Sequence, residues 1–254
     1  MTAPGRPSDI DLDRPMPCFE HGFAFDPTYG HDLRQLLAVG APPEPDDLAT
    51  FWRDTFEQAM AIDLGIDCRR IESPHEGIDV YEVDYDSLGG ERIGGWITRP
   101  SDAGAIERGV VIGHGYGGRE GPDLMHPSLG RQVAIWPCAR GFHRSAADHL
   151  PNEAGWHVRS GIASRETYIH RGCVADYWLA ASVLIELYPQ AADRLHYEGG
   201  SFGGGIGAMM LPWDDRFERA HLRVPSFGNH PLRVTLPCEG SGKEPSRIAR
   251  LDPS

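Results

Sequence analysis

The stretch LHYEGGSFGGG, residues 195–205, is the part of the sequence that indicates the fold most clearly. Residues 195–198 predict a strand and residues 202–211 predict a helix, so Ser201 lies at the sharp turn between them. Gly199, Ser201 and Gly203 form the pattern G-x-S-x-G, which is informative only in this strand–turn–helix context. The stretch therefore predicts a sheet strand whose end presents the Ser201 hydroxyl.

Ser201 is the candidate nucleophile of this turn. The serine of such a turn has a strained backbone, and side chains at positions 199 and 203 would collide with neighbouring backbone. The start of the helix also places free N–H groups and partial positive charge beside the hydroxyl. The alternative is a glycine-rich loop with a chance serine, since the chain has 31 glycines. The strand–turn–helix context favours the nucleophile.

A second glycine-rich stretch, HGYGG at residues 114–118, follows the apolar run at residues 110–112. An oxyanion hole for a serine of this kind combines two backbone N–H groups. One belongs to the residue after the nucleophile and the other to an early strand-to-helix loop. The N–H groups of Phe202 and Tyr116 are the predicted donors. The alternative is that His114 and the glycines only make a tight turn.

Strands and helices alternate along most of the chain, which predicts βαβ crossovers and a mostly parallel α/β sheet. Antiparallel strands are expected ahead of it, with a turn at Gly89-Gly90. Residues 1–45 are interpreted as an extended arm that wraps the domain, residues 46–236 as the α/β domain and residues 237–254 as a polar tail. The predicted strands are 67–72, 79–85, 92–98, 110–112, 133–136, 195–198 and 220–224, and the predicted helices are 46–62, 167–188 and 202–211.

Composition excludes several classes of protein. Apolar residues make up 40% and charged residues 24% of the 254 residues, a balance typical of a folded domain. With 24 basic against 37 acidic residues and no basic cluster, nucleic-acid binding is not expected. The five scattered cysteines indicate reduced thiols and a cytoplasmic protein. No apolar stretch approaches the roughly 18 residues of a membrane span, and the first residues lack the apolar core of a signal peptide.

No cofactor is expected. The spacing of His143, His149 and His157 matches no metal-binding motif, and these residues are interpreted as surface loop histidines. The chain also lacks a dinucleotide fingerprint after a strand and a phosphate-binding lysine motif.

The chain resembles the acetyl xylan esterase / cephalosporin C deacetylase family of carbohydrate esterases, within the α/β-hydrolase superfamily. The resemblance extends over most of the sequence. HGYGG at 114–118 matches the family's motif, and GGSFGGG at 199–205 is similar to its G-G-S-Q-G-G-G. The further similar stretches are FWRDT at 51–55, DSLGGERIGGW at 86–96, RG at 140–141, TY and RG within 167–172, and VP at 224–225.

The resemblance implies a serine carboxylesterase with Ser201 as nucleophile and Tyr116 as both oxyanion donor and wall of the acyl pocket. It also implies acetylated xylo-oligosaccharides or related small esters as substrates, and ring-like hexamers as the assembly. Two departures indicate a divergent branch. Phe202 replaces the usual Gln, which is expected to alter the pocket wall but not the backbone N–H, and WPCA at 136–139 replaces an acidic stretch.

A larger departure concerns the remaining members of a catalytic triad. In this fold they follow the serine in the order Asp, then His, on loops after later strands. Asp214, Asp215, His221 and His230 have the right order but fall at the helix end and around the very next strand. We therefore expect the last strands and the triad Asp and His to lie beyond Ser254. The alternative is a catalytically impaired remnant that keeps a binding or oligomerisation surface.

Overall fold

The chain forms two compact units, Met1–Pro45 and Asp46–Ser254. The computed structural model describes residues 20–243 except 103, 105, 127 and 128, so the ends of the predicted arm and tail lie outside the described residues. The first unit contains helix α1 (Leu33–Leu37), which the interpretation as an extended arm missed. A capping box starts it: Gln35 N–H donates to the Asp32 side chain, and Asp32 N–H donates to the Gln35 side chain. Five residues are too few for a helical period to show in the sequence.

The second unit is built on a mixed seven-stranded sheet. Its strands are β1 (Asp67–Ile71), β2 (Ile78–Ser87), β3 (Glu91–Pro100), β4 (Arg108–Gly113), β5 (Gln132–Pro137), β6 (Leu195–Gly200) and β7 (Phe217–Arg223). The strand order is β1-β2-β3-β5-β4-β6-β7. The pairs β1–β2, β2–β3 and β3–β5 are antiparallel. The pairs β5–β4, β4–β6 and β6–β7 are parallel. The α/β-hydrolase-like fold predicted from sequence is confirmed, including its leading antiparallel strands.

Three longer helices cover one face of the sheet. The helices of the second unit are α2 (Leu48–Met60), α3 (Ala154–His157), α4 (Ile169–Leu187), α5 (Phe202–Met210) and α6 (His230–Arg233). Helix α4 is buried on nearly all sides and packs beside α2 and α5, which agrees with the apolar faces read from sequence. No helix in the described part of the chain is long and apolar enough to cross a membrane.

The opposite face of the sheet has its own smaller core. Trp96, Ile112 and Trp136 belong to it, whereas their strand neighbours Ile97, Val111 and Ile135 point towards the helices. This alternation follows the two-residue period of a strand. Because β4, β6 and β7 are parallel neighbours, the loops after them leave the sheet at the same edge, which is where ligands bind in open α/β sheets.

A buried ion pair ties the sheet to α4. Asp176 of α4 is fully buried, and its carboxylate accepts hydrogen bonds from Arg140 Nη2 at 2.7 Å and Arg140 Nε at 3.1 Å. The Arg140 backbone N–H at 3.1 Å and the Ser87 hydroxyl at 2.6 Å donate to the same carboxylate. Four donors on one carboxylate satisfy a charge that would otherwise be very costly to bury. The pair therefore joins the end of β2, the loop after β5 and α4.

We expect Asp176→Asn to lower the free energy of unfolding by about 3–5 kcal/mol, because it leaves the Arg140 guanidinium buried without a carboxylate. Urea unfolding followed by circular dichroism measures this. The matched control is Glu107→Gln, which breaks an exposed pair with Arg131 (3.2 Å) and should change stability by less than about 1 kcal/mol. Equal effects of the two substitutions would contradict this description of the core.

Candidate active site

Ser201 lies at the turn between β6 and α5 in a strained conformation, with φ 52° and ψ −113°. Residues other than glycine rarely adopt this region, and they do so where the surrounding structure imposes it. Here the backbone is held from both sides. Ser201 N–H donates to Arg223 O at 2.9 Å, and Ser226 N–H donates to Ser201 O at 3.1 Å. The end of β7 therefore fixes the turn that the G-x-S-x-G pattern predicts.

Two glycines let the turn pack against the sheet. A Cβ on Gly203 would lie 2.8 Å from backbone atoms of Gly113 and His114, and a Cβ on Gly199 would lie 2.6 Å from the Gly203 backbone. Gly203 N–H also donates to His114 O at 2.8 Å. The expectation that side chains at positions 199 and 203 would collide with backbone is thus confirmed. The first turn of α5 rests directly on the end of β4.

The two predicted oxyanion donors are both unused. Within the described residues, neither the Tyr116 N–H nor the Phe202 N–H donates a hydrogen bond to the protein. Backbone N–H groups without an acceptor beside a serine are what an oxyanion hole requires. The first turn of α5 contributes one of them and the loop after β4 the other.

His114 supports the loop after β4. Its Nε2 accepts a hydrogen bond from Ala139 N–H at 2.9 Å, so the proton is on Nδ1, which donates to Gly115 O at 2.7 Å. Burial lowers the pKa of His114 to about 3, with a smaller contribution from the positive charge of Arg119. The ring is therefore neutral and fully engaged, which suits a structural role and not that of a general base.

The side chains of Tyr116 and Phe202 pack against each other, with ring centroids 4.4 Å apart. Around them lies an aromatic cluster completed by Phe142, His157, His170 and Phe227. Neither side chain is among the described residues that line the pocket beside Ser201. The Phe202 ring is fully buried in the cluster.

Two buried histidines hold the Tyr116 hydroxyl. His157 Nε2 lies 3.0 Å from Arg140 O and must donate to it, so His157 Nδ1 accepts from the Tyr116 hydroxyl at 3.3 Å. His170 Nε2 then donates to the Tyr116 oxygen at 2.8 Å. Burial lowers the pKa of His157 to about 4 and that of His170 well below 6.5, so both rings are neutral.

The interpretation of His157 as a surface histidine is wrong. The ring is completely buried, because α3 turns it inward to the Arg140 carbonyl, whereas His143 and His149 are exposed as expected. No spacing in the sequence indicates a contact of this kind, since its two partners come from distant segments. Among the described residues, no group of three or more His, Cys, Asp or Glu side chains could hold a metal ion.

A pocket of about 680 Å³ opens beside Ser201 at the carboxyl ends of β4, β6 and β7. Ile112 and Trp136 contribute apolar surface, which places the pocket on the sheet face opposite α4 and α5. His126 Nε2 lies 3.1 Å from Glu198 Oε2 within it. Its ionisable lining residues are His114, Arg119, Asp123, His126, Glu198, His221 and Arg223.

The acid and base candidates after Ser201 are only partly brought to this pocket. Asp214 is buried and held by Arg216 through hydrogen bonds of 2.8 and 2.7 Å, so it supports the α5–β7 connection. His230 lies beside Phe227, and Asp215 is exposed. His221 does line the pocket, opposite Glu198 in the register of β6 and β7. Within the described residues, the Ser201 hydroxyl makes no hydrogen bond to any histidine.

Comparison with known proteins identifies a family and a shared fold. Residues 33–239 match the family model described as acetyl xylan esterase (AXE1). Acetyl xylan esterase 1 from Thermoanaerobacterium sp. JW/SL YS485 superposes with a TM-score of 0.75 at 19% identity, covering 88% of this chain and 73% of that one. An acetyl xylan esterase from Paenibacillus sp. R4 superposes with a TM-score of 0.73 at 22% identity, covering 87% and 73%. At these identities the superpositions establish a shared fold.

We expect the free energy of unfolding to fall as the pH is lowered from about 7 to 5.5. Burial depresses the pKa values of His114, His157 and His170 in the folded chain, whereas the unfolded chain protonates these rings near pH 6.5. Their contribution to stability is complete above the unfolded pKa and is lost as the pH falls towards the folded values. Three such groups lower stability by roughly 3–4 kcal/mol over this range.

Urea unfolding at a series of pH values measures this dependence. His157→Gln should remove about a third of the fall, while His149→Gln, an exposed control, should leave it unchanged. If the free energy of unfolding fell by no more than a single buried histidine accounts for, these rings would not be buried as neutral groups.

Proposed function

The chain belongs to the acetyl xylan esterase (AXE1) family, and from this premise we propose that it is a serine carboxylesterase acting through an acyl-Ser201 intermediate. Its family and fold support an esterase function. The observation that carries the serine mechanism is the strained Ser201 turn, with two unused backbone N–H groups in the adjoining segments. The proposed substrates are acetylated xylo-oligosaccharides or related small esters, cephalosporin C among them.

In the proposed reaction, Ser201 Oγ attacks the acetyl carbonyl carbon and a base takes the hydroxyl proton. The negative charge that forms on the carbonyl oxygen accepts hydrogen bonds from the N–H groups of Tyr116 and Phe202. The carbon–oxygen bond to the alcohol then breaks, and the alcohol leaves with the proton held by the base. Water attacks the acetyl-serine in the same way, which releases acetate and regenerates Ser201.

We propose that the base is a histidine from outside the described residues, oriented by an Asp. This follows from the Ser201 hydroxyl, which makes no hydrogen bond to a histidine of the described chain, and from Asp214, which Arg216 already holds. The same observation favours a second candidate function. In that case the chain is a catalytically impaired relative that binds an ester or a partner without turning it over.

The proposal extends to location and assembly. Cys138 and Cys173 are buried free thiols, and burial raises the pKa of both, so they stay protonated and unreactive. Free thiols are typical of proteins in the reducing cytoplasm, and they support the proposal of a cytoplasmic location. A homo-oligomer is proposed on the resemblance to the esterase family alone.

We expect a fluorophosphonate probe to label Ser201 and no other residue, because Ser201 is the one serine of the described residues that lies in a strained turn beside free N–H groups. Mass spectrometry of the labelled peptide identifies the site. Ser226→Ala is the matched control, since Ser226 lies after β7 and, among the described residues, bonds to the Ser201 turn only through its backbone N–H, so this substitution should leave labelling intact. Labelling that persists in Ser201→Ala would refute the assignment of the nucleophile.

We further expect this chain to hydrolyse 4-nitrophenyl acetate only weakly, because a serine hydroxyl without a base loses about 10²–10⁴-fold in rate. His221→Ala should leave that rate unchanged. A turnover on the order of 10 s⁻¹ that His221→Ala abolishes would instead make His221 the base. The absence of both hydrolysis and probe labelling would favour the second candidate function.

A further inference from the structure

Arg119 carries a half-buried guanidinium, two nitrogens of which have no hydrogen-bond partner among the described residues. Its Nε and Nη1 atoms are inaccessible to solvent, and no described residue accepts a hydrogen bond from them. Buried charges in proteins are almost always paired, because an unpaired one is strongly destabilising. Burial accordingly lowers the pKa of Arg119, although a guanidinium remains charged. A group of this kind calls for an anion.

The surroundings of Arg119 hold it in place without occupying its donors. The guanidinium lies over the Trp136 ring, 5.3 Å from the ring centroid. Neither acidic side chain that lines the pocket forms a hydrogen bond with Arg119. Glu198 is bonded to His126 at 3.1 Å, and Asp123 Oδ1 accepts from Met125 N–H at 2.9 Å, although the Asp123 charge also acts on Arg119.

The Arg119 side chain lines the same pocket as Ser201. Because Nε and Nη1 are enclosed, Nη2 is the guanidinium nitrogen that a ligand in the pocket can reach. A carboxylate or phosphate pairs with it through a charge-assisted hydrogen bond. The negative charges of Glu198 and Asp123 disfavour a doubly charged phosphate more than a singly charged carboxylate. The acetyl group of an ester carries no charge, so a permanent carboxylate on the substrate must belong to its alcohol part.

We propose that Arg119 forms an anion subsite beside Ser201 that binds a carboxylate on the alcohol part of the ester. The preferred substrates are then acidic acetyl esters, such as acetylated sugars that carry a uronic acid. This inference rests on the proposed function, whose substrate class it specifies. The fold places Arg119 directly after the loop that supplies the Tyr116 N–H, so the acid group and the ester are recognised by adjoining residues.

The test uses the Ser201→Ala chain, so that ligand is not consumed, and isothermal titration calorimetry at low ionic strength. The ligands are an O-acetylated methyl glucuronoside, with one carboxylate, and the O-acetylated methyl glucoside, its neutral counterpart. We expect the charged ligand to bind roughly 10- to 100-fold more tightly, as a charge-assisted hydrogen bond implies. Arg119→Gln should abolish this preference, and Arg119→Lys should keep only part of it, because an ammonium group does not stack on the Trp136 ring as a planar guanidinium does.

Two arginine controls separate the subsite from general charge. Arg131→Gln removes an exposed cation paired with Glu107 and should leave the preference intact. Arg223→Gln removes the other arginine of the pocket and should leave most of it. Thermal melts check that the Arg119 variants fold, which is expected because Arg119→Gln removes a half-buried charge. Equal binding of the two ligands, or a preference that survives Arg119→Gln, would overturn the proposal.

Sodium acetate is the third ligand, because the released acid is also a carboxylate. If acetate binds through Arg119 as tightly as the charged ester, the subsite holds product and the proposal fails. Failure of the proposed esterase function can be told apart from failure of the subsite. Arg119-dependent binding without Ser201-dependent hydrolysis would contradict the esterase function and support the subsite. Hydrolysis without a preference for the charged ligand would contradict only the subsite.

Discussion

The close contact between the first turn of α5 and the end of β4 is the constraint on which the site depends. Gly203 N–H donates to His114 O, and a single methyl group at position 203 would enter the backbone of Gly113 and His114. This contact joins two segments that are far apart in sequence. One carries the strained Ser201, and the other carries the Tyr116 loop. With the segments pressed together, the hydroxyl and the two N–H groups come from one rigid body and not from mobile loops.

A second set of contacts links this body to the core. The Asp176 carboxylate fixes Arg140, the Arg140 carbonyl orients His157, and His157 with His170 holds the Tyr116 hydroxyl. Each member is hydrogen-bonded and all but Tyr116 are buried, so displacing one leaves its neighbours unsatisfied. Tyr116 is thereby anchored through its side chain while its N–H stays free. The polar network therefore positions the Tyr116 N–H. The aromatic packing of Tyr116 on Phe202 holds the Phe202 N–H in a fixed place relative to it.

Much of this could be read from the sequence, and the rest depended on contacts between distant residues. The strand before Ser201, the glycines at 199 and 203 and the helix after them are local features, and their signal is contained in eleven residues. Helices α1, α3 and α6 are too short to show a period. The burial of His157 depends on a carbonyl from another loop, and the setting of Arg119 depends on the neighbouring strand that carries Trp136. Neither relation leaves a pattern along the chain.

Trapping the covalent intermediate tests whether Ser201 accepts the acyl group. The chain is mixed with excess 4-nitrophenyl acetate, quenched in acid and digested, and the acetylated peptide is identified by mass spectrometry. We expect one acetyl group per chain, on the peptide that contains Ser201, and none in the Gly203→Ala variant, whose added methyl group displaces the turn from β4. Acetylation at another residue, or an unmodified Ser201 in a chain that still hydrolyses the ester, would contradict this expectation.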